Sequence, residues 1–145
     1  MYKHILVPTD GSPLSLKAVK TASALARTCK AQVTAIHVMR PFDPPMSSEG
    51  VVFRAANLVQ EYEKGTRRNA QKVLAKVAVA MGAPCEKVAV FHPNPWQAIV
   101  KTAAAKKCDV IVMASHGRGG LASLFLGSET QKVLAKSKTP VLVCR

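Results

Sequence analysis

The chain has 145 residues, of which 48% are apolar and 20% charged, and its net charge is +13. This length suffices for one hydrophobic core, so we expect a single domain spanning 1–145, and the composition excludes a disordered chain. Every apolar run is far shorter than the roughly 20 residues of a membrane span, and a strand pattern begins already at Lys3, so we expect no signal peptide. We therefore expect a cytoplasmic protein with no membrane partner.

Neither the cysteines nor the basic residues form clusters in the sequence. The four cysteines lie far apart without a C-x-x-C pair, so we expect buried free thiols rather than a zinc site or disulfides: Cys29, Cys85, Cys108 and Cys144. The 21 lysines and arginines are spread over the predicted helices, which is typical of solvated helix faces rather than of a nucleic-acid footprint. A nucleic-acid partner is therefore disfavoured.

Strand and helix patterns alternate along the chain. The first strand, KHILVPT, precedes a helix with Ser12 as its N-cap and Pro13 at its first position. One face of that helix carries Leu14, Ala18, Ala22 and Leu25. Further strands are predicted at 32–39, 86–91, 109–113 and 140–144, and further helices at 52–81, 95–106 and 128–136. The proline-rich stretch 40–50 predicts a mobile loop.

This alternation predicts an α/β fold: a doubly wound, five-stranded parallel sheet of order 3-2-1-4-5 with helices on both faces. In that order the fourth strand lies beside the first. Their carboxyl ends flank the point where the winding reverses, and ligands of open α/β sheets bind there. The two strand tips are Pro8-Thr9-Asp10 and Ala114 to Gly117. We therefore expect the functional site between these tips.

The stretch from Asp109 to Ser128 has the features of an anion site. A buried strand pattern, DVIVM, is followed by a loop with three glycines in four residues, and Gly127-Ser128 then begins a helix with Ser128 as its predicted N-cap. Glycines allow close backbone approach, and a helix N-terminus offers unpaired N–H groups and partial positive charge. The Walker motif is absent. The sequence therefore predicts a nucleotide phosphate site of another kind.

The arrangement resembles the universal stress protein family over essentially the whole chain. The segments that carry this resemblance are KHILVPTDGS, IHV at Ile36 to Val38, DVIVMASHGRGGL and PVLVCR. The ATP-binding branch of that family is marked by G-x2-G-x9-G-[ST], and here Gly117 and Gly127-Ser128 match it in register. Ala114 stands where the motif has its first glycine. The resemblance implies an adenine nucleotide α-hydrolase-like fold and bound ATP, with or without Mg²⁺.

The resemblance also implies which residues bind the nucleotide. The adenine and ribose would lie against Pro8, Thr9, Asp10, Val38 and Met113. The phosphates would lie against Gly117, Gly127 and Ser128, with the neighbouring loop and helix residues Ala114, Ser115, His116, Arg118 and Glu129. We expect Arg118 to neutralise phosphate charge or to lie in solvent as an ordinary loop arginine. His116 would orient the loop or face solvent near the nucleotide.

The final strand, with its apolar stretch Val141–Cys144, would lie at an edge of the sheet. An exposed apolar edge invites pairing with a second copy, and the resemblance likewise implies a homodimer through this strand. The alternative is a monomer whose edge is covered by the terminus or by loop 40–50. The sequence identifies neither the protein partner nor the stress to which this dimer would respond.

Catalytic and metal-binding arrangements are not supported by the sequence. Ser115, His116 and Asp10 lack the G-x-S-x-G elbow of a hydrolytic triad, and no paired carboxylates offer acid and base roles. His37 is better explained as a strand histidine with satisfied hydrogen bonds than as a metal ligand. We therefore assign no catalytic and no metal residues, and expect at most a weak ATPase. Two alternatives remain open: a dimeric interaction module without nucleotide, and a basic binder of nucleic acids or other anions.

Overall fold

The computed structural model describes residues 1–43, 52–117 and 126–145, with 52–55 described by their backbone alone. Strands and helices alternate through these residues in the predicted sequence. The strands are β1 (His4–Pro8), β2 (Gln32–Met39), β3 (Glu86–Phe91), β4 (Val110–Ala114) and β5 (Val141–Cys144). The helices are α1 (Pro13–Cys29), α2 (Val52–Met81), α3 (Pro95–Ala105) and α4 (Ser128–Lys136).

The strands form one parallel sheet of order β3-β2-β1-β4-β5, which confirms the predicted topology. Leu6 of β1 pairs with Thr34 of β2 on one side and with Ile111 of β4 on the other. β1 is therefore central, and the winding of the chain reverses between β1 and β4. The carboxyl ends of these two strands lie side by side, as the ligand-site argument requires.

Alternating side chains of β1 divide the core into two layers. Ile5 and Val7 pack with residues of α1 and α2 on one face of the sheet. Leu6 points to the other face, where it packs with Ile99 of α3 and Val133 of α4. All three β1 side chains are fully buried. A sheet covered on both faces explains why its central strands are continuous apolar runs.

The buried face of α1 differs from the predicted one. Ala18 and Ala22 are buried as expected, but Leu14 and Leu25 are only half-buried, while Ser15 and Ser23 are buried. The Ser23 hydroxyl donates to the Met81 carbonyl oxygen at 2.7 Å. The buried face is therefore broader than the apolar spacing predicts: Leu25 still packs against the core, and Ser23 satisfies its hydrogen bond where α1 meets the end of α2.

The predicted N-cap residue is correct for α1 but not for α4, although α4 begins and ends at the predicted residues. Ser12 caps α1, where its side chain accepts the N–H of Ser15 at 3.2 Å. Gly127, not Ser128, is the N-cap residue of α4. The prediction of Ser128 as N-cap is therefore wrong by one position. Gly127 adopts extended backbone angles there, so the helix begins at Ser128 itself.

Helix α2 is much longer than the sheet is deep. Its 30 residues span about 45 Å, whereas the 8 residues of β2 span about 27 Å. The helix buries apolar side chains between Ala70 and Met81, but Tyr62 is 37% exposed, so only the second part of the helix packs on the core. The first part extends past the carboxyl edge of the sheet. There the Tyr62 hydroxyl donates to the Arg40 carbonyl oxygen at 3.0 Å.

All four cysteines are free thiols, as predicted, but only Cys108 is buried. Burial raises the pKa of the Cys108 thiol to about 11, which makes it unreactive. The described residues contain no group of three or more histidines, cysteines or acids that could hold a metal ion. None of the described helices combines the length and the apolar character needed to cross a membrane. Most of the predicted loop 40–50 lies outside the described residues.

Asp109 joins the two central strands at the amino edge of the sheet. Its Oδ2 accepts the backbone N–H of Lys3 at 2.6 Å and that of His4 at 2.8 Å. These two hydrogen bonds lower the pKa of Asp109 below its ordinary value of 3.8, because they stabilise the carboxylate form. The charge of Asp109 therefore favours the folded state.

The hydrogen bonds of Asp109 predict that replacing it by asparagine, which has the same shape but no charge, lowers the stability of the fold by an amount that depends on pH. A carboxyl whose pKa falls on folding stabilises the protein above its unfolded pKa, and this contribution is lost as the pH falls through its folded pKa. We expect Asp109→Asn to melt at a lower temperature than the parent chain at neutral pH, with the difference shrinking as the pH drops below 3.8. Thermal melts followed by circular dichroism measure this. Glu61→Gln, at an exposed position of α2, is the control; an equal effect there would contradict the assignment.

Candidate functional site

A cleft of about 620 Å³ lies at the carboxyl edge of the sheet. Residues from β1, β2 and β4, from the strand tips that follow them, and from α1, α2, α3 and α4 line it. Among the predicted site residues it contains Pro8, Thr9, Asp10, Val38, Met113, Ala114, His116, Gly117, Gly127, Ser128 and Glu129. The cleft therefore lies where the winding reverses and is bounded by the two strand tips that the sequence selected.

The tips after β1 and β4 are in direct contact. A Cβ atom built at Gly117 would lie 2.6 Å from Oδ2 of Asp10, closer than side-chain carbons approach other atoms. Oδ1 of the same carboxylate accepts the Ser12 N–H at 2.9 Å, and Gly11 between them has a φ of +78°. The turn thus holds Asp10 against the backbone of Gly117. Only glycine leaves this approach undisturbed.

The tip of β1 is fixed by contacts with β2 and α1. The Thr9 N–H donates to the Ile36 carbonyl oxygen at 2.9 Å, and the Thr9 carbonyl oxygen accepts from Nδ1 of His37 at 2.8 Å. The Thr9 hydroxyl contacts the Ser15 hydroxyl at 3.0 Å. His37 is buried, and this bond confirms its prediction as a strand histidine with a satisfied hydrogen bond.

The tip of β4 is joined to the start of α4. The Gly127 N–H donates to the Ser115 carbonyl oxygen at 2.7 Å, and the Thr130 hydroxyl donates to the Ala114 carbonyl oxygen at 3.0 Å. A Cβ at Gly127 would lie 3.1 Å from the Cα of His116. The two ends of the glycine loop are therefore brought together, and the first turn of α4 opens into the cleft.

One described site residue, Ser115, is not among those that line the cleft. Ser115 is 4% exposed, and its hydroxyl contacts Nδ1 of the adjacent His116 at 3.1 Å. Its N–H donates to the Cys144 carbonyl oxygen at 2.8 Å, so its backbone continues the pairing of β4 with β5. Arg118 lies outside the described residues, so its predicted role in charge neutralisation stays a prediction.

The structure adds lining residues that the sequence analysis did not select. They come from β2 and the residue after it, and from all four helices: Ser15, Ile36, His37, Met39, Arg40, Thr66, Asn69, Pro95, Ile99 and Thr130. Arg40 could have been found, since it follows the strand end that contains Val38. Thr66 and Asn69 had no sequence signal, because only the length of α2 relative to the sheet places them beside the tips.

Glu129 connects the cleft to α3. Its Oε2 accepts the Trp96 N–H at 2.8 Å, and its Oε1 lies 3.4 Å from Nζ of Lys132. Asn94, the N-cap residue of α3, makes no side-chain cap hydrogen bond. The carboxylate from α4 therefore takes the place of a local cap for α3. Among the described residues, the charged side chains that line the cleft are Asp10, Arg40 and Glu129.

The crowding at Gly127 predicts opposite effects for two glycine-to-alanine substitutions. We expect Gly127→Ala to destabilise the fold by roughly 1–3 kcal/mol, because its Cβ would press on the backbone of His116. Gly65, inside α2, has nothing within 4 Å of the added Cβ, so Gly65→Ala should stabilise by about 0.5–1 kcal/mol. Urea unfolding curves measure both. A Gly127→Ala variant as stable as Gly65→Ala would show that β4 and α4 are not held together here.

Comparisons with known proteins agree with this architecture. The sequence model of the universal stress protein family matches residues 1–145. A universal stress protein of Thermus aquaticus is 34% identical, with all of both chains covered. The solved structure of MJ0577, a universal stress protein of Methanocaldococcus jannaschii, superimposes with a TM-score of 0.79 at 29% identity, covering 99% of this chain and 96% of that one.

A further solved structure, a universal stress protein in complex with cAMP, gives a TM-score of 0.65 at 25% identity and covers 98% of this chain and 95% of that one. The family match extends over the whole chain, and the fold and strand order agree with it. This chain belongs to the universal stress protein family.

Proposed function

We propose that this protein binds ATP in the cleft and acts as a dimeric nucleotide-binding regulator or protector in the stress response. The observation that carries the proposal is the contact of Gly117 with Asp10, since it brings two strand tips together around a cleft large enough for a nucleotide. The family relative in complex with cAMP supports an adenine nucleotide as the class of ligand.

The adenosine would lie against the tips of β1, β2 and β4. Val38 and Met113 present apolar surface to the cleft and suit a flat base. Pro8 and Thr9 belong to the same wall, and the carboxylate of Asp10 can accept hydrogen bonds from hydroxyl or amino groups. An apolar seat with one nearby acceptor is the chemistry that a nucleoside needs.

The phosphates would lie at the start of α4. The first N–H groups of a helix have no partner within the helix, and Ser128 adds a hydroxyl donor. Gly127 would not donate to the phosphates, because its N–H already donates to the Ser115 carbonyl oxygen. Its role would be to leave space for them. Gly117 would likewise admit the phosphates close to the backbone, and Ala114, Ser115 and His116 would shape the loop between them. Arg118 would neutralise charge.

We propose that the protein hydrolyses ATP slowly or not at all. An efficient ATPase positions the attacking water and stabilises the developing charge, and the described cleft residues include no pair suited to both tasks. Mg²⁺ would bind mainly to phosphate oxygens and water, with Asp10 nearby. We propose a single domain that works in the cytoplasm and signals through the occupied loop to another protein.

Ala114, which stands where the nucleotide-binding motif has its first glycine, is compatible with nucleotide binding. Alanine tolerates this site when φ is negative, and positive φ among described non-glycine residues is confined to Lys30 and Lys107. Ala114 is buried at the end of β4, with its carbonyl oxygen bound to Thr130. The missing first glycine therefore gives no specific support to the alternative of an interaction module without nucleotide.

Nucleotide binding is tested on the purified chain. We expect denaturation to release an adenine nucleotide that mass spectrometry identifies, and calorimetric titration of the emptied protein to show ATP binding. The Cβ of Gly117→Ala would displace the Asp10 carboxylate. We therefore expect this variant to bind ATP about tenfold or more weakly, which corresponds to about 1.4 kcal/mol of binding free energy. Gly65→Ala is the matched control and should bind like the parent. Absence of ATP binding by the parent chain would refute the proposal.

The dimer would form through β5. Val141–Cys144 is an edge strand whose Leu142 is 42% exposed, and edge strands pair readily with a second copy. The alternative is a monomer with this edge covered by other parts of the chain.

Sedimentation measures the assembly directly. We expect the parent chain to sediment with twice its chain mass of 15.5 kDa and Leu142→Lys to shift it to one chain mass, because a charge on the edge opposes pairing. Val79→Lys, at an 84% exposed position of α2, is the control and should stay dimeric. A monomeric parent chain would overturn the dimer but not the nucleotide site.

A further inference from the structure

Glu129 places a fixed negative charge at the phosphate end of the cleft. It follows Ser128 directly in the first turn of α4, and both residues line the cleft. Its carboxylate is held by the Trp96 N–H at 2.8 Å and is 33% exposed. Because this bond supplies the cap that Asn94 does not, the carboxylate is tied to α3 rather than free to turn into solvent.

The partners of Glu129 only partly compensate its charge. Nζ of Lys132 lies 3.4 Å away, but this lysine side chain is half-exposed, so water screens the ion pair. The Trp96 N–H is a neutral donor. The first turn of a helix is shorter than the screening length of about 8 Å at physiological salt, so a phosphate bound at Ser128 would experience the Glu129 charge.

We propose that Glu129 is a specificity-determining residue that selects among adenine nucleotides by phosphate charge. This inference rests on the proposed ATP site. Repulsion by the carboxylate grows with the charge of the phosphate tail. It therefore weakens the binding of metal-free ATP more than that of AMP and leaves the binding of adenosine unaffected. A divalent cation on the phosphates reduces the same repulsion. Glu129 thus favours short or cation-neutralised tails, whereas the amides of α4 favour every phosphate.

The test compares Glu129→Gln with the parent chain across three ligands. Glutamine keeps an oxygen for the Trp96 N–H and removes only the charge, so α3 keeps its cap. We expect calorimetric titration in EDTA to show about fivefold tighter binding of ATP, about twofold tighter binding of AMP and unchanged binding of adenosine. The gain for ATP should shrink with added Mg²⁺ and at high salt.

Glu86→Gln is the matched control, because it removes the same charge from the opposite edge of the sheet, where Glu86 pairs with Lys106. It should leave all three affinities unchanged. Equal changes for the three ligands in Glu129→Gln, or none, would overturn the inference while the ATP site stands. A parent chain that binds none of the three refutes the proposed function itself, and the inference falls with it.

Discussion

The cleft depends on two places where an added Cβ atom would press on a neighbouring strand tip. At Gly117 an added Cβ would meet the Asp10 carboxylate at 2.6 Å, and at Gly127 it would meet the backbone of His116 at 3.1 Å. The first contact joins the tips of β1 and β4, and the second joins β4 to α4. Together they place a helix N-terminus, whose first N–H groups have no partner within the helix, beside the point where the winding of the sheet reverses.

The remaining walls of the cleft depend on the length of α2 rather than on a sequence motif. α2 is long enough to pass the carboxyl edge of the sheet, and it brings Thr66 and Asn69 to the open side of the cleft. The contacts of Tyr62 with Arg40 and of its ring with Phe42, at 5.2 Å between centroids, connect this overhang to the end of β2. A crevice that is shallow in a bare sheet thereby becomes a cleft of about 620 Å³.

The described lining of the cleft carries more acidic than basic side chains, unlike the chain as a whole. The net charge is +13, yet the described lining includes Asp10 and Glu129 beside Arg40. The net charge of the whole chain is therefore a poor guide to the charge of the cleft, into which the first turn of α4 opens with N–H groups that have no partner within the helix.

The sequence by itself determined the fold class, the strand order and the two strand tips that bound the cleft. Alternating strand and helix patterns predict a doubly wound parallel sheet, continuous apolar runs such as Ile5 to Val7 indicate burial on two faces, and glycines mark close backbone approach. It could not determine Ser23 as a buried α1 residue or Gly127 as the N-cap. Only the tertiary structure brought Glu129 to Trp96, 33 residues away, and α2 to the cleft. Local patterns report which residues are buried, but the partner that satisfies a polar group depends on how whole elements are placed in space.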